Sequence, residues 1–169
     1  YAKGLIGTTG CPSGEVQTRL RLGQYDEALA AAAAYRDIFG RENYYIEIMD
    51  HGVPIERMVR EDLLRIAKDL KLPLLLTNDS HYVTADQADA HDNLLCVGVG
   101  RNKDEPNRFR FNGDGYYLKT SEEMRALFPE LPDAADNTLA IAERIGDYSD
   151  VFRAVDRMPQ FVVPPGETQ

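Results

Sequence analysis

The chain has 169 residues, of which 43% are hydrophobic and 28% are charged, so it is not a wholly disordered protein and should form one globular domain with a sizeable core. Its formal net charge of −9 disfavours a free-standing nucleic-acid-binding protein, because an acidic surface repels phosphate backbones. No apolar run approaches the roughly 18 residues of a membrane span and no export signal is recognisable. A cytoplasmic protein without membrane contact is therefore expected.

The first predicted strand and helix flank a turn that carries a cysteine. Residues 4–7 form a short apolar run that predicts a strand, and residues 15–22 predict a helix. Cys11 lies just before the helix start, where backbone N–H groups and the helix dipole favour the thiolate, the form that binds metal. Cys11 is thus either a metal ligand or a small buried residue. Cys96 lies in an apolar helical stretch and is expected to be buried and inert.

The next segment predicts a second strand between two helices. Residues 25–39 combine strong helix formers with a block of alanines, which predicts a close-packed helix. Residues 43–51 are rich in β-forming residues and predict a strand. Its Glu47 and His51 could line a site or could simply be solvated. Residues 54–71 carry the apolar stripe of a helix that covers a sheet.

A continuous apolar run then ends in metal-ligand side chains. Residues 74–76 predict a strand covered on both faces, and Asn78, Asp79 and His81 follow it. If the chain stays extended, Asp79 and His81 point to the same side, where a carboxylate oxygen and an imidazole nitrogen could bind one cation. The alternative is a capping Asp and a surface His, since an Asp-x-His motif is short and common.

The following helix and loop carry acidic and then basic residues. Residues 84–97 predict a helix with an acidic first turn, whose aspartates are expected to cap it. Residues 101–112 are polar and locally basic, which predicts a loop. Its four basic residues could contact DNA phosphates or could serve only solubility: Arg101, Lys103, Arg108 and Arg110.

The last third of the chain predicts a short strand, two helices and a linker. Residues 116–119 predict the strand, and a capped helix through Phe128 and a helix at 132–145 follow. After Asp147 the chain is rich in proline and lacks apolar periodicity. We therefore assign residues 1–150 to the domain and residues 151–169 to a proline-rich linker.

The order of the elements predicts an α/β fold with a mostly parallel sheet, either a barrel or part of one. Three of the predicted strands end in candidate ligands, and parallel barrels place their chemistry at the carboxyl ends of the strands. The sequence contains no P-loop, no GxGxxG after a strand, no HExxH, no paired CxxC and no GxSxG. These absences disfavour a phosphate cradle and a nucleophile elbow.

Four stretches, in their order and spacing, carry a resemblance to a known family: GLIGTTGCPSGEV, YYIEIMDHG, LPLLLTNDSHYVTADQADAHDNLLCVGVG and MPQFVVPPGET. The chain resembles the C-terminal portion of the polymerase and histidinol phosphatase (PHP) domain, in the form found in bacterial replicative DNA polymerases. The resemblance implies a seven-stranded variant of the β/α barrel whose mouth holds up to three divalent metals. In active members this site removes nucleotides from a DNA 3′ end as proofreading.

The resemblance also implies roles for individual residues. Cys11 matches the family's cysteine ligand, and Asp79 and His81 match its late Asp-x-His ligands. The family's early His-x-His and its intermediate His and Glu ligands would precede this chain, which is expected to be part of a longer polypeptide and inactive alone. Family members without nuclease activity carry other residues at ligand positions, so the three intact ligands favour an active parent. The residues expected to support the ligands or to line the rim of the site are Glu47, His51 and Asn78.

The cofactor and partners follow from the same resemblance and from ligand chemistry. A thiolate with an imidazole suits Zn²⁺, whereas the carboxylate would also accept Mn²⁺ or Mg²⁺. The expected partners are the N-terminal part of the domain and the polymerase core in the same polypeptide, the DNA primer 3′ end, and other replisome subunits, in the bacterial cytoplasm at the nucleoid. The alternatives are a non-catalytic, metal-stabilised docking module and a phosphatase of the histidinol phosphate type.

Overall fold

The computed structural model describes residues 2–154, 158 and 165–166. The strands are β1 (Gly7–Thr8), β2 (Tyr44–Ile48) and β3 (Leu74–Leu76). The helices are α1 (Glu15–Arg21), α2 (Tyr25–Phe39), α3 (Pro54–Leu70), α4 (Ala88–Val99), α5 (Ser121–Leu127) and α6 (Pro132–Arg144). Short 3-10 segments occupy Arg41–Asn43, Ala85–Gln87 and Ser149–Phe152. Most of the predicted linker lies outside the described residues.

The three strands form one parallel sheet in the order β1-β2-β3. Gly7 pairs with Tyr44 on one side of the central strand, and Ile46 pairs with Leu74 on the other. Helices α1 and α2 connect β1 to β2, and α3 connects β2 to β3, as parallel pairing requires. The α/β class and the parallel sheet are confirmed. The described chain forms this single sheet, and the seven-stranded barrel stays a prediction.

The strand predicted at residues 116–119 is wrong. Tyr117 forms only an isolated parallel bridge with Tyr82, outside the sheet. The reason is that a side chain is hydrogen-bonded to the backbone of this segment. The Asn78 Nδ2 donates to the Tyr117 carbonyl oxygen at 2.6 Å. A carbonyl bonded to a side-chain amide is less available for a continuous strand ladder.

Three other predicted boundaries differ from the structure. The first strand covers Gly7–Thr8 instead of residues 4–7, and the second ends at Ile48, three residues before His51. The helix predicted at 84–97 begins as a 3-10 turn and becomes α-helical only at Ala88. Because β2 ends early, residues 49–51 lie outside the sheet, and His51 among them contacts the backbone of Asp79.

The main core lies among α1, α2, α3 and β2. Ala28 and Ala32 of α2 are fully buried, which confirms the predicted close-packed helix. Adjacent tyrosines of β2 contact helices from different parts of the chain: Tyr44 stacks on Phe39 of α2, with ring centroids 6.0 Å apart, whereas the Tyr45 hydroxyl accepts from Arg144 of α6 at 3.0 Å. Adjacent residues of a strand face opposite sides, so helices cover β2 on both faces.

A second, smaller core fixes β3. Its buried members are Ile48, Leu76, Phe128, Ala134 and Ala135. The Asn137 Nδ2 on α6 donates to the Leu74 carbonyl oxygen at 2.8 Å and so satisfies a backbone acceptor of β3. This packing fixes the end of β3 against α6, and the loop that carries Asp79 begins there. In the part of the chain that the structure describes, no helix has both the length and the apolar character needed to cross a bilayer.

Candidate metal site at the carboxyl edge of the sheet

Glu47, near the end of β2, connects the carboxyl ends of β1 and β3. Its Oε2 accepts from the Thr8 hydroxyl at 2.6 Å and from the Gly10 N–H at 3.1 Å, and its Oε1 accepts from the Thr77 hydroxyl at 2.5 Å. The Glu47 N–H donates to the Thr9 hydroxyl oxygen at 2.9 Å. Glu47 is therefore a structural crosslink between the turn that carries Cys11 and the loop that carries Asp79. It is not a solvated strand residue.

Cys11 lies exposed in the turn between β1 and α1. The Gln17 Nε2 donates to the Gly10 carbonyl oxygen at 2.6 Å, and the Gly14 N–H donates to the Cys11 carbonyl oxygen at 2.8 Å. Position 14 requires glycine, since a Cβ there would lie 2.6 Å from the Thr9 carbonyl oxygen. The exposed thiol excludes the buried alternative for Cys11, whereas Cys96 is buried as predicted.

His51 is enclosed and fixes the backbone of Asp79. Its Nδ1 lies 2.6 Å from the Glu56 Oε1, and its backbone N–H donates to the Glu56 Oε2 at 2.7 Å. The Nε2 accepts from the Asp79 N–H at 3.3 Å, which assigns the proton to Nδ1. None of the His51 side chain is exposed to solvent. The prediction that His51 supports the site thus agrees with its position, although that role stays a prediction.

Asp79 and His81 converge after β3. The Asp79 Oδ1 lies 3.1 Å from the His81 Nε2, and both side chains are partly exposed. The His81 ring packs against Phe111 at 4.6 Å and against His91 at 5.2 Å between centroids. Among the residues that the structure describes, no three His, Cys, Asp or Glu side chains form a metal-binding group. The structure therefore brings the Asp-x-His pair together, but it does not join Cys11 to it.

Asn78 is held between two neighbours. Its Nδ2 donates to the Tyr117 carbonyl oxygen, and its Oδ1 accepts from the Lys119 Nζ at 3.1 Å. Burial lowers the pKa of Lys119, whose ammonium also lies 4.7 Å from the Tyr117 ring centroid and donates to the Gly115 carbonyl oxygen. Sequence reasoning missed Lys119, because nothing in its local sequence distinguishes it from a surface lysine.

Four stacked rings form what we call the aromatic column: His51, Tyr116, Phe111 and His91. Successive centroids are 4.4, 4.7 and 5.2 Å apart, with interplanar angles of 5°, 24° and 21°. Burial, together with the negative charges of Glu56 and Asp79, raises the pKa of Tyr116. Sequence reasoning placed His91 among ordinary helix residues and did not select Phe111 or Tyr116. The only signal was the aromatic density of residues 109–117.

The four predicted DNA-contact residues occupy different environments. Arg108 forms a two-pronged ion pair with Asp92, at 2.6 and 2.5 Å, and only 2% of its side chain is exposed. It anchors the loop to α4, a structural role that leaves no surface for a phosphate in this conformation. Arg101 and Lys103 pair with acidic neighbours on the surface, and Arg110 donates to a carbonyl oxygen at 3.2 Å. For these three exposed residues, DNA contact stays a prediction.

Comparison with known proteins identifies the family. A sequence profile of the PHP domain matches residues 1–51. Over its full length, the chain is 61% identical to a segment of the DNA polymerase III subunit alpha of Saccharopolyspora erythraea. Residues 1–51 belong to the PHP domain family, and the chain as a whole is related to a segment of DNA polymerase III alpha subunits. It is also 58% identical to the corresponding protein of Mycobacterium tuberculosis H37Rv and 36% identical to that of Thermus aquaticus, in each case over the whole chain. The chain spans about 14% of the length of each of these relatives.

The donor atoms in the loop after β3 suit a divalent cation. The Asp79 carboxylate and the His81 imidazole are common ligands of zinc and manganese, and both are accessible. Two donors do not complete a tetrahedral set, so further ligands are needed. The exposed Cys11 thiol lies in a turn that is connected to the Asp79 loop through Glu47.

Proposed function

We propose that this PHP chain is part of the alpha subunit of a bacterial replicative DNA polymerase, works in the cytoplasm, and contributes residues to a metal-dependent 3′–5′ exonuclease site. The observation that carries the proposal is the full-length similarity to DNA polymerase III alpha subunits, combined with the convergence of Asp79 and His81 after β3. Other parts of the same polypeptide would complete the seven-stranded barrel and the ligand set.

Asp79, His81 and Cys11 would hold the cation in this site. Zn²⁺ is favoured because a thiolate and an imidazole are among the donors, and Mn²⁺ or Mg²⁺ would suit a site dominated by carboxylates. A bound divalent cation would supply charge neutralisation at the scissile phosphodiester and would acidify an attacking water molecule.

The residues around the ligands would set their geometry. His51 fixes the backbone at Asp79 through its Nε2, and Glu56 holds the imidazole in the tautomer that makes this possible. Glu47 fixes the Cys11 turn relative to the segment before Asp79. These neighbours would limit the movement of the donors, which a metal site needs because small displacements weaken coordination.

The test is trimming of a mismatched primer 3′ end by the complete alpha subunit. Asp79→Asn and His81→Ala should each slow trimming about a hundredfold or more, while primer extension continues, because each removes one donor to the cation. Asp37→Asn, which changes an exposed carboxylate on α2, is the matched control and should trim at the wild-type rate. Wild-type trimming by both ligand variants would refute the proposal.

A second candidate is a non-catalytic module that stabilises the polymerase and docks other subunits. The extensive internal hydrogen bonding of Glu47, His51 and Asn78 favours it, because these groups are already used to hold the fold together. In that case a chelator should lower the melting temperature of the alpha subunit, and the purified protein should never trim a primer. A phosphatase has less support, because the relatives named above are DNA polymerase III alpha subunits.

A further inference from the structure

The ammonium of Lys119 is turned back onto the protein. It donates to the Gly115 carbonyl oxygen and, at 3.1 Å, to the Asn78 Oδ1, and it lies 4.7 Å from the centroid of the Tyr117 ring. An ammonium has three N–H donors, and this carbonyl, this amide oxygen and this ring face provide one acceptor for each. Burial lowers the pKa of Lys119, because the ammonium has lost part of its hydration. A lysine that served only solubility would keep its ammonium in water.

Residues 115–119 hold the loop of the candidate metal site through their backbone carbonyls. The Tyr117 carbonyl oxygen accepts from the Asn78 Nδ2 at 2.6 Å. The Tyr116 carbonyl oxygen accepts from the His81 N–H at 2.8 Å. One bond therefore lies just before the first proposed ligand and the other lies at the second. A change in the course of residues 115–119 would move both proposed ligands.

Lys119 connects the two ends of this arrangement. Its bond to the Gly115 carbonyl oxygen closes a turn over residues 115–119. Its bond to the Asn78 Oδ1 sets which way the amide faces, so that the Nδ2 is directed at the Tyr117 carbonyl oxygen. A Cβ at position 115 would lie 3.6 Å from the Lys119 Nζ and 3.7 Å from the His51 Cα, so the ammonium lies close to the other residue that supports this loop.

We propose that Lys119 is a positioning residue of the metal site. It holds the Asn78 amide and the 115–119 segment in the arrangement that directs both proposed ligands at one cation. This assignment rests on the proposed function, because it requires the loop after β3 to bind a metal. Lys119 itself is not a ligand, since an ammonium has no lone pair to offer. Residues that orient metal ligands change metal affinity by about 10-fold to 100-fold when they are replaced.

The first test is the zinc affinity of the complete alpha subunit, measured by competition with a chelating dye for the zinc equivalent that Asp79→Asn removes. Lys119→Met keeps the aliphatic stem but removes all three donors, and it should weaken zinc binding about tenfold or more. Lys119→Arg retains a charged donor group and should bind zinc within about threefold of wild type. Lys68→Met, at an exposed lysine of α3, is the matched control and should bind zinc like wild type. Wild-type affinity in Lys119→Met would overturn the proposal.

Hydrogen exchange of the metal-free alpha subunit separates positioning from a general loss of stability. In Lys119→Met, peptides that cover residues 77–83 should exchange faster, whereas peptides from the main core, residues 25–39, should exchange as in wild type. Faster exchange in both segments would show that Lys119 only stabilises the domain, and the assignment would be wrong. Lys119→Gln keeps a neutral donor group, so it gives a result even if Lys119→Met fails to fold, and it should also weaken zinc binding and speed exchange at residues 77–83.

The effect of Lys119 should depend on Asn78, because the two side chains share a hydrogen bond. Asn78→Leu removes the amide and should itself weaken zinc binding. The double variant with Lys119→Met should weaken zinc binding by less than the product of the two single effects, as is usual for residues in one hydrogen-bond network. A double variant whose loss equals that product would show that Lys119 does not act through Asn78, and it would overturn the proposal.

The outcomes separate this inference from the proposed function. If Asp79→Asn loses zinc and trimming while Lys119→Met keeps wild-type zinc affinity, the positioning role is refuted and the exonuclease site is retained. If wild type binds zinc with the expected dependence on Lys119 but never trims a primer with any metal, the positioning role is supported and the exonuclease proposal is refuted.

Discussion

Replacing His51 with Phe should loosen the loop that carries Asp79 without removing the aromatic column. Phe preserves a ring at 4.4 Å from Tyr116 but cannot bond to the Glu56 carboxylate or to the Asp79 N–H. Losing a hydrogen bond to a charged group costs about 1.5–3 kcal/mol, and losing the longer bond to the backbone costs about 0.5–1 kcal/mol. The sum, about 2–4 kcal/mol, corresponds to roughly 30-fold to 1,000-fold faster local opening.

A second substitution, at Glu56, tests whether the destabilisation by His51→Phe comes from a buried carboxylate left without its imidazole partner. In the His51→Phe variant, the Glu56 carboxylate stays buried with only the residue 51 N–H as donor. Glu56→Gln removes that buried charge, so the double variant should regain about 1–2 kcal/mol relative to His51→Phe alone. Glu61→Gln, which changes an exposed carboxylate on the same helix, is the matched control and should regain nothing.

Hydrogen exchange measured by mass spectrometry on the complete alpha subunit resolves these effects by segment. Peptides that cover residues 48–58 and 77–83 should exchange faster in His51→Phe, and the Glu56→Gln background should partly restore their protection. A change of less than threefold at residues 77–83 would show that His51 does not hold the Asp79 loop, and the support assigned to it would be wrong.

Two further predictions concern the stability of the fold. Burial acts to raise the pKa of Asp50, but hydrogen bonds from Arg60 and the Gly52 N–H outweigh it and leave the pKa below its ordinary value. The contribution of this carboxylate to the free energy of unfolding is therefore present above its unfolded-state pKa. It is lost as the pH falls through the lower folded-state pKa. In thermal melts, Asp50→Asn should be less stable than wild type at pH 7, and the gap should narrow as the pH falls through the lowered folded-state pKa of Asp50; a constant gap would contradict this. Ala32→Leu adds volume at a fully buried position of α2 and should cost about 1–3 kcal/mol, whereas Ala30→Leu on the exposed face should change the melting temperature little.

The elements whose signals are local could be predicted from the sequence. The apolar run 74–76 and the Asp-x-His that follows it gave both the strand and the convergence of two donors, because periodicity and i, i+2 spacing depend only on neighbours. The alanine-rich helix could be predicted for the same reason. The predicted strand at 116–119 failed because its backbone is bonded by Asn78, a residue 39 positions away in the sequence.

The parts of the site that depend on distant contacts could not be predicted. The aromatic column joins residues 51, 91, 111 and 116, and no local pattern indicates that these rings stack. Arg108 belongs to a polar loop and has the sequence context of an exposed residue, yet the loop folds its guanidinium onto Asp92 of α4. Glu47 was recognised as a candidate, but its bonds to Thr8, Gly10 and Thr77 depend on strand order.

We propose that Asp79 and His81 are two of the ligands of a divalent-metal site. The most direct measurement is the metal content of the purified, complete alpha subunit by mass spectrometry, for wild type, Asp79→Asn, His81→Ala and the Asp37→Asn control. We predict that wild type and the control retain the same amount of bound zinc or manganese, and that each ligand variant loses about one equivalent. Equal metal content in all four proteins would contradict the account.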